Sequence, residues 1–492
     1  MIHVQRHSLF ALDIASSRRL GAFAVSVLAG ACIACGSSAS ATDGTDVGPR
    51  GEDSGIVAET DSGTSAADAA DSGGRADSGE ALDAGTVTDA GSDVDNGAPS
   101  STYPAFKVDV PQIVNGGGPV LAAAVVVTVT WSADTQAATW NALGDAIGSS
   151  SYWHAINSEY GVGQASSGSA NHVSITTAPP AQISDSDLDN LVAQHAGVDW
   201  PAPTANTIYA IYLAPQTTLY FGGLPDAGGQ DVCSQGVGGY HSGTMGHGIV
   251  YAIMPQCSMF KAGDIELSAT HELNEAATDP QGSGWVGFDA NHLAFEFFNQ
   301  FQDELGDACE LYVEATDSLD FTPYTAQRQW SNKSAAAGSH WCLPALDEPF
   351  YNTTFLLGEP AGTPATQLDD ISVDLSALGA KMQATKGFKV PLNTSRTFPI
   401  GYFSDRDTGG PFTVDVEWPM MNILAQDQNG NNITNGTATV TIDKTSGVNG
   451  NIAYVTVTPT AFSSLGVLLF YVRSVLPNSQ QHHYLPILIS AK

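Results

Sequence analysis

Between residues 36 and 101 the chain repeats short acidic units: Asp53-Ser54-Gly55, Asp61-Ser62-Gly63, Asp71-Ser72-Gly73, Asp77-Ser78-Gly79, Asp83-Ala84-Gly85 and Asp89-Ala90-Gly91. Almost no large apolar side chain lies between them, so the tract buries too little surface to offset the entropy of ordering it. It is expected to stay disordered, a tether stretched by its own repulsion. Folding is left to residues 102–492, long enough for two or three domains with good cores. The tether also supplies a good share of the formal net charge of −34. The acidity is therefore largely that of a solvated linker, and it argues against nucleic acid as a partner. It equally disfavours anionic membrane surfaces.

Ahead of the tether, Arg18 and Arg19 precede a short apolar run over residues 20–31, the pattern of an export signal within residues 1–35. The run is too short to span a bilayer, and no other segment reads as transmembrane. It ends at Cys32 and Cys35, followed by Gly36-Ser37-Ser38. A cysteine after small residues resembles a bacterial lipoprotein signal, in which Cys32 or Cys35 would be acylated. An ordinary secretory signal is the alternative. Either way the chain is expected to be exported, to the cell envelope or beyond. The other four cysteines, Cys233, Cys257, Cys309 and Cys342, have no C-x-x-C spacing, and in an exported chain they read as disulfides. Sequence neighbours would pair as Cys233–Cys257 and Cys309–Cys342, one of three possible connectivities.

The folded part divides by its patterning. Residues 102–346 mix strand signals (120–131, 207–213, 248–254) with helix signals (134–147, 150–160, 185–195 and about 264–278), without a repeating βαβ period. This predicts an α+β domain. Residues 280–342 read as loop-rich. After about residue 347 helix signals nearly vanish, and about eight short strand-like runs follow one another between Gly, Asn, Asp and Pro. Residues 347–492 thus predict an all-β sandwich of immunoglobulin-like type.

The chemistry concentrates in His271-Glu272-Leu273-Asn274-Glu275, near the end of the predicted helix 264–278. One turn apart, His271 and Glu275 project from one face and could hold one metal ion. Glu272 stands beside the histidine, as the general base does in H-E-x-x-H metallopeptidases. Glutamate replaces the second histidine here. Thr278-Asp279-Pro280 closes the helix as an ordinary stop.

Several ordered segments resemble the phosphate-induced (EXORDIUM-like) secreted family. They are Gly116-Gly117-Gly118-Pro119-Val120-Leu121, the strand ending Thr130-Trp131, Ser149-Ser150-Ser151-Tyr152-Trp153, Gly239-Tyr240-His241-Ser242 and Val250-Tyr251-Ala252-Ile253-Met254-Pro255. Thr278-Asp279-Pro280, Trp285 and Glu304-Leu305-Gly306-Asp307-Ala308-Cys309 look like elements of its microbial relatives. The resemblance covers about residues 105–342. It implies an extracellular protein with a zincin-like metal site and names no substrate. The order of histidine, glutamate and distant glutamate also resembles gluzincin metallopeptidases.

A hydrolytic zinc site needs three protein ligands and one open position. His271 and Glu275 offer two, and Glu304 is the choice for the third, with Asp307 orienting His271 or replacing Glu304 as ligand. Glu272 is the candidate base. His241 and His247 lie in a Gly-rich stretch read as a loop lining the cleft, with His241 placed to stabilise an oxyanion. Two glutamate ligands would blunt the Lewis acidity of Zn²⁺, and oxygen-rich ligation leaves Ca²⁺ or Mn²⁺ open. No Ser/His/Asp elbow, P-loop or dinucleotide fingerprint occurs. Two functions follow as expectations. One is a metal-dependent hydrolase acting on extracellular proteins or peptides. The other is a non-catalytic surface module that binds a cell-surface ligand and uses the metal structurally.

Overall fold

Val-Val-Val-Thr-Val-Thr-Trp, β1 (Val125–Trp131), is β-branched nearly throughout and is buried on both faces. In the computed structural model it forms part of a five-stranded sheet with β2 (His172–Ile175), β3 (Thr207–Tyr212), β4 (Tyr240–Gly243) and β5 (Val250–Met254), in the order β2-β1-β3-β5-β4. The described residues are 97–244, 248–299, 304–310, 323–358, 362–427, 429–479 and 481–492. The export signal with Cys32 and Cys35, nearly all of the acidic tract, and His247 lie outside them.

The pairings β1–β2, β1–β3 and β3–β5 are parallel, and β4 alone runs antiparallel, at the edge beside β5. Alternation along the strands feeds two cores. Val126, Ala210, Tyr212, Ala252 and Met254 face one side, and Val127, Val129, Tyr209, Ile211 and Ile253 the other. On the first side lie α1 (Ala137–Ile147), α2 (Ser151–Asn157) and α4 (Ala262–Thr278), contributing Trp140, Trp153, Ile265 and Leu273. On the second lies α3 (Asp185–His195), through Leu188 and Val192. Ser184 caps α3 by accepting from the Asp187 N–H, and Asp187 bonds back to the Ser184 N–H at 3.0 Å. This part is mixed α and β as expected, but its sheet is mostly parallel, a feature hidden by the uneven spacing of strand and helix signals. Within the stretch read as loop-rich, Leu293–Phe298 forms a short helix, α5, whose six residues are all buried.

From Tyr351 onward the described residues are mostly strand. One sheet orders β6 (Tyr351–Phe355), β9 (Arg396–Ser404), β13 (Ile452–Ala461) and β11 (Thr437–Ile442) as β6-β9-β13-β11. The other contains β7 (Asp369–Asp374), β8 (Met382–Lys389), β10 (Phe412–Glu417), β12 (Ser446–Gly447), β14 (Val467–Val475) and β15 (His482–Ser490), ordered β7-β8-β15-β14-β10-β12. Inward side chains from both, among them Ile400, Val455, Val457, Phe470 and Ile487, share one core in a sandwich-like arrangement. The outer residues of β14 and β15 join the core of the first part, where Phe298 meets Tyr471 and Tyr484 with ring centroids 4.9 and 5.1 Å apart.

Both disulfides pair sequence neighbours as expected, Cys233–Cys257 and Cys309–Cys342. Such bonds suit an exported chain that folds in an oxidising compartment. No helix of the described residues is long and apolar enough to cross a membrane.

Candidate metal centre

Helix α4 runs from a loosely covered first turn into surroundings that bury every residue from Ala269 to Asp279. Leu273, Ala276 and Ala277 face the sheet core. Asn274 donates to Tyr152 Oη at 3.0 Å and pairs with Asn157, which fastens the opposite side to α2. His271, Glu272 and Glu275 are thereby carried into the interior, and each needs a partner there.

Those partners come from two other elements. His241 arrives from β4, an edge strand and not the loop expected, where it sits opposite Ala252 of β5. Glu304, Asp307 and Glu310 arrive from the turn after α5, which Cys309–Cys342 ties to the strand pair Gln329–Trp330 and Cys342–Leu343. Glu275 Oε1 accepts the backbone N–H groups of Gly306 and Asp307 at 2.8 and 3.2 Å. Its other oxygen lies 2.9 Å from His271 Nε2 and 3.8 Å from His241 Nδ1. Asp307 Oδ1 is 3.5 Å from His271 Nε2, Glu304 Oε1 is 3.7 Å from His241 Nε2, and Glu272 Oε2 is 3.4 Å from His241 Nδ1. All six residues singled out in the sequence thus meet in one cluster. Their grouping differs from the expected one. Glu304 falls with His241 and Glu275, whereas His271 groups with Glu272 and Glu275, and also with Asp307 and Glu310.

Sequence reasoning missed four contributors. Gln327 Oε1 accepts from His271 Nδ1 at 2.9 Å, while its Nε2 donates to the Gly306 carbonyl at 3.0 Å. Gln327, not Asp307, therefore takes the second nitrogen of His271. No sequence signal marked it. Glu310 is within one helical turn of Asp307, and that spacing could have flagged it. Asp279, read as part of a helix stop, is fully buried. Its Oδ1 accepts from the Ser283 and Gly284 N–H groups at 2.6 Å each, and its backbone carbonyl accepts from His241 Nε2 at 3.0 Å. Gly306 is the fourth: a Cβ there would stand 2.6 Å from His271 Nδ1 and 2.8 Å from Glu275 Oε1.

The electrostatics are those of an acid-rich interior. Burial pushes the Glu272 carboxyl up, and does the same to Glu304 and Asp307, where the Glu275 charge adds to it. Burial also opposes ionisation of Glu275, but His271 and His241 overcome it and lower that group to about 2. Burial would lower both imidazoles. Glu272 and Glu275 raise His241 to about 9, and the same two carboxylates with Asp307 hold His271 well above its ordinary value.

A divalent cation fits this donor set. Among the described residues the ion pairs of these carboxylates run to His241 and His271. Asp279 Oδ2 is buried without a hydrogen-bond partner. Burial raises Glu272, Glu304 and Asp307, and a cation beside them would favour their charged forms. Each imidazole bonds a neutral oxygen through one nitrogen, which also has Glu304 or Glu310 3.7 or 3.8 Å away, and turns the other toward two carboxylates.

No family model matches the chain, and no curated protein does. Among solved structures, domains 4 and 5 of the S-layer protein SbsC match at 14% identity over 29% of this chain and 77% of that one, with a TM-score of 0.14.

Proposed function

We propose that the protein is a metal-dependent hydrolase that cleaves peptides, exported and anchored to the cell envelope through Cys32 or Cys35. We read its first part as zincin-like, related to the EXORDIUM-like secreted proteins, and its second as an immunoglobulin-like sandwich. The observation that carries the hydrolase reading is convergence. Three separate elements, β4, α4 and the turn after α5, bring two histidines and five carboxylates into one buried cluster that includes the Glu272 base position.

Each residue then has a task. His271 and Glu275, with an acidic donor from Asp307, hold the ion, for which zinc is the first choice, and Glu304 adds a donor on the His241 side. When bound, the cation supplies Lewis acidity and an acidified water. Glu272, nearly excluded from solvent and raised by burial, takes the proton of the attacking water and passes it to the departing amine. Gln327 and the Asp279 carbonyl fix the two imidazole rings. Support for a peptide substrate comes from β4. It is an edge strand that bears His241, and an extended peptide can add to such an edge through its main chain.

The test is Glu272→Gln in the full chain, assayed for peptide hydrolysis and for metal content. The expected result is unchanged metal with turnover reduced by a factor on the order of 10²–10⁴. Turnover equal to wild type would refute the role of Glu272. Metal bound but no peptide cleaved by the wild type would leave a cell-surface binding module with a structural ion.

A further inference from the structure

We infer that the cluster is built for two divalent cations, with Glu275 as the shared ligand between a His241 side and a His271 side. The inference rests on the reading of the cluster as a cation site and extends it from one ion to two.

The donors fall into two sets, one on either side of Glu275. His241 and Glu304 form the first with Glu275, and His271, Asp307 and Glu310 form the second. Each set has one imidazole, and the two imidazoles are prepared alike from opposite directions. The Asp279 carbonyl holds His241 Nε2, which leaves Nδ1 facing Glu272 and Glu275. Gln327 holds His271 Nδ1, which leaves Nε2 facing Glu275 and Asp307. A single-ion site needs only one such arrangement, with the other histidine free to serve elsewhere. Glu275 Oε2 stands between the two rings, while Oε1 is pinned by two backbone N–H groups.

Charge points the same way. Six carboxylates surround the two rings: Glu272, Glu275, Asp279, Glu304, Asp307 and Glu310. Their side chains are enclosed to different degrees, Glu272 7% and Glu275 2% exposed, Glu304 20%, Asp307 21% and Glu310 39%. Asp279 is fully buried and interacts with Glu304, which places a sixth carboxylate beside the His241 side. Two dications would match four of the six carboxylates, where one would match two. Two cations, if bound there, would divide the work of a peptide hydrolysis, one acidifying the attacking water and the other polarising the scissile carbonyl.

The experiment strips the full-length protein with chelator, reloads it with Zn²⁺ alone, desalts it, and counts zinc per chain by elemental analysis. Wild type is expected to retain two zinc ions, and His241→Ala and His271→Ala one each. Loading with Mn²⁺ should give an exchange-coupled electron-spin resonance spectrum in the wild type and an isolated-ion spectrum in His241→Ala. Should His241→Ala lose its folded circular dichroism, Glu304→Gln takes its place, with the same loss of one ion expected. One zinc in the wild type overturns the inference and leaves the single-ion reading standing. No zinc overturns both. Two zinc ions retained equally by wild type and both histidine variants would place the metal elsewhere and also overturn it.

Discussion

Replacing Gln327 by alanine tests the architecture of the centre without touching a proposed ligand. The side chain makes two buried hydrogen bonds, accepting from His271 Nδ1 at 2.9 Å and donating to the Gly306 carbonyl at 3.0 Å. Truncation leaves both groups unsatisfied in the interior, at about 1–3 kcal/mol each. It also frees the His271 ring to rotate and to take the other tautomer. Loss of such an orienting partner typically lowers metal affinity 10–100-fold, about 1.4–2.7 kcal/mol. Zinc affinity measured by chelator competition should therefore fall by that factor. Gln327→Glu keeps an acceptor for the Nδ1–H while adding a carboxylate that faces the Gly306 carbonyl, so it should hold the ring and lose folding stability instead of ring orientation. Zinc binding by Gln327→Ala within about twofold of wild type would refute the claim that this amide positions His271.

Other outcomes follow from the same geometry. Gly306→Ala forces a methyl against His271 and Glu275 in a turn that cannot retreat without breaking the bond to Glu275, so it should lower zinc affinity and cost about 1–3 kcal/mol in urea unfolding. A variant as stable and as metal-competent as wild type would show that the turn is looser than described. Removing Cys309–Cys342 as a double serine variant opens a loop of sequence separation 33, worth about 3–4 kcal/mol by chain entropy, and should release the acidic turn from the centre. Unchanged stability and zinc binding would contradict that. His292, 16% exposed, is opposed by burial but raised to about 9 by Asp109 and Asp289. An unfolded chain loses this proton near pH 6.5. The stabilisation is thus complete below about 6.5 and fades as pH rises toward 9, by an amount on the order of 1–3 kcal/mol. Stability curves of wild type and His292→Gln should converge over that range, and parallel curves would sink the assignment.

The parts legible in the sequence were those with local signatures. The β-branched run of β1, the capped α3 and the period-2 strands of the sandwich each carry their structure in neighbouring residues. The His271–Glu275 pair was readable for the same reason, since one helical turn fixes it. The disulfide pairing followed from proximity along the chain. What escaped depends on contacts distant in sequence. Gln327 is 56 residues from His271, and nothing around it marks an interior amide. Tyr240–Gly243 is too short and too glycine-rich to read as a strand, and only pairing with β5 makes it one. Asp279 looked like an ordinary stop because the helix end it closes is covered by β4, 38 residues away in sequence.

The core that Phe298 shares with Tyr471 and Tyr484 bears on how such a protein can be taken apart. Composition divides the chain near residue 346, yet β14 and β15 serve two masters, with inner residues in the sandwich and outer ones against α5. Trp341 and Phe350 bridge the same line with ring centroids 4.5 Å apart. A cut there would uncover aromatic surface on both fragments and invite aggregation. The sandwich is therefore no cassette that recombination could move alone. It is inherited with the centre it braces, and damage to its last strand is felt at the helix preceding the acidic turn.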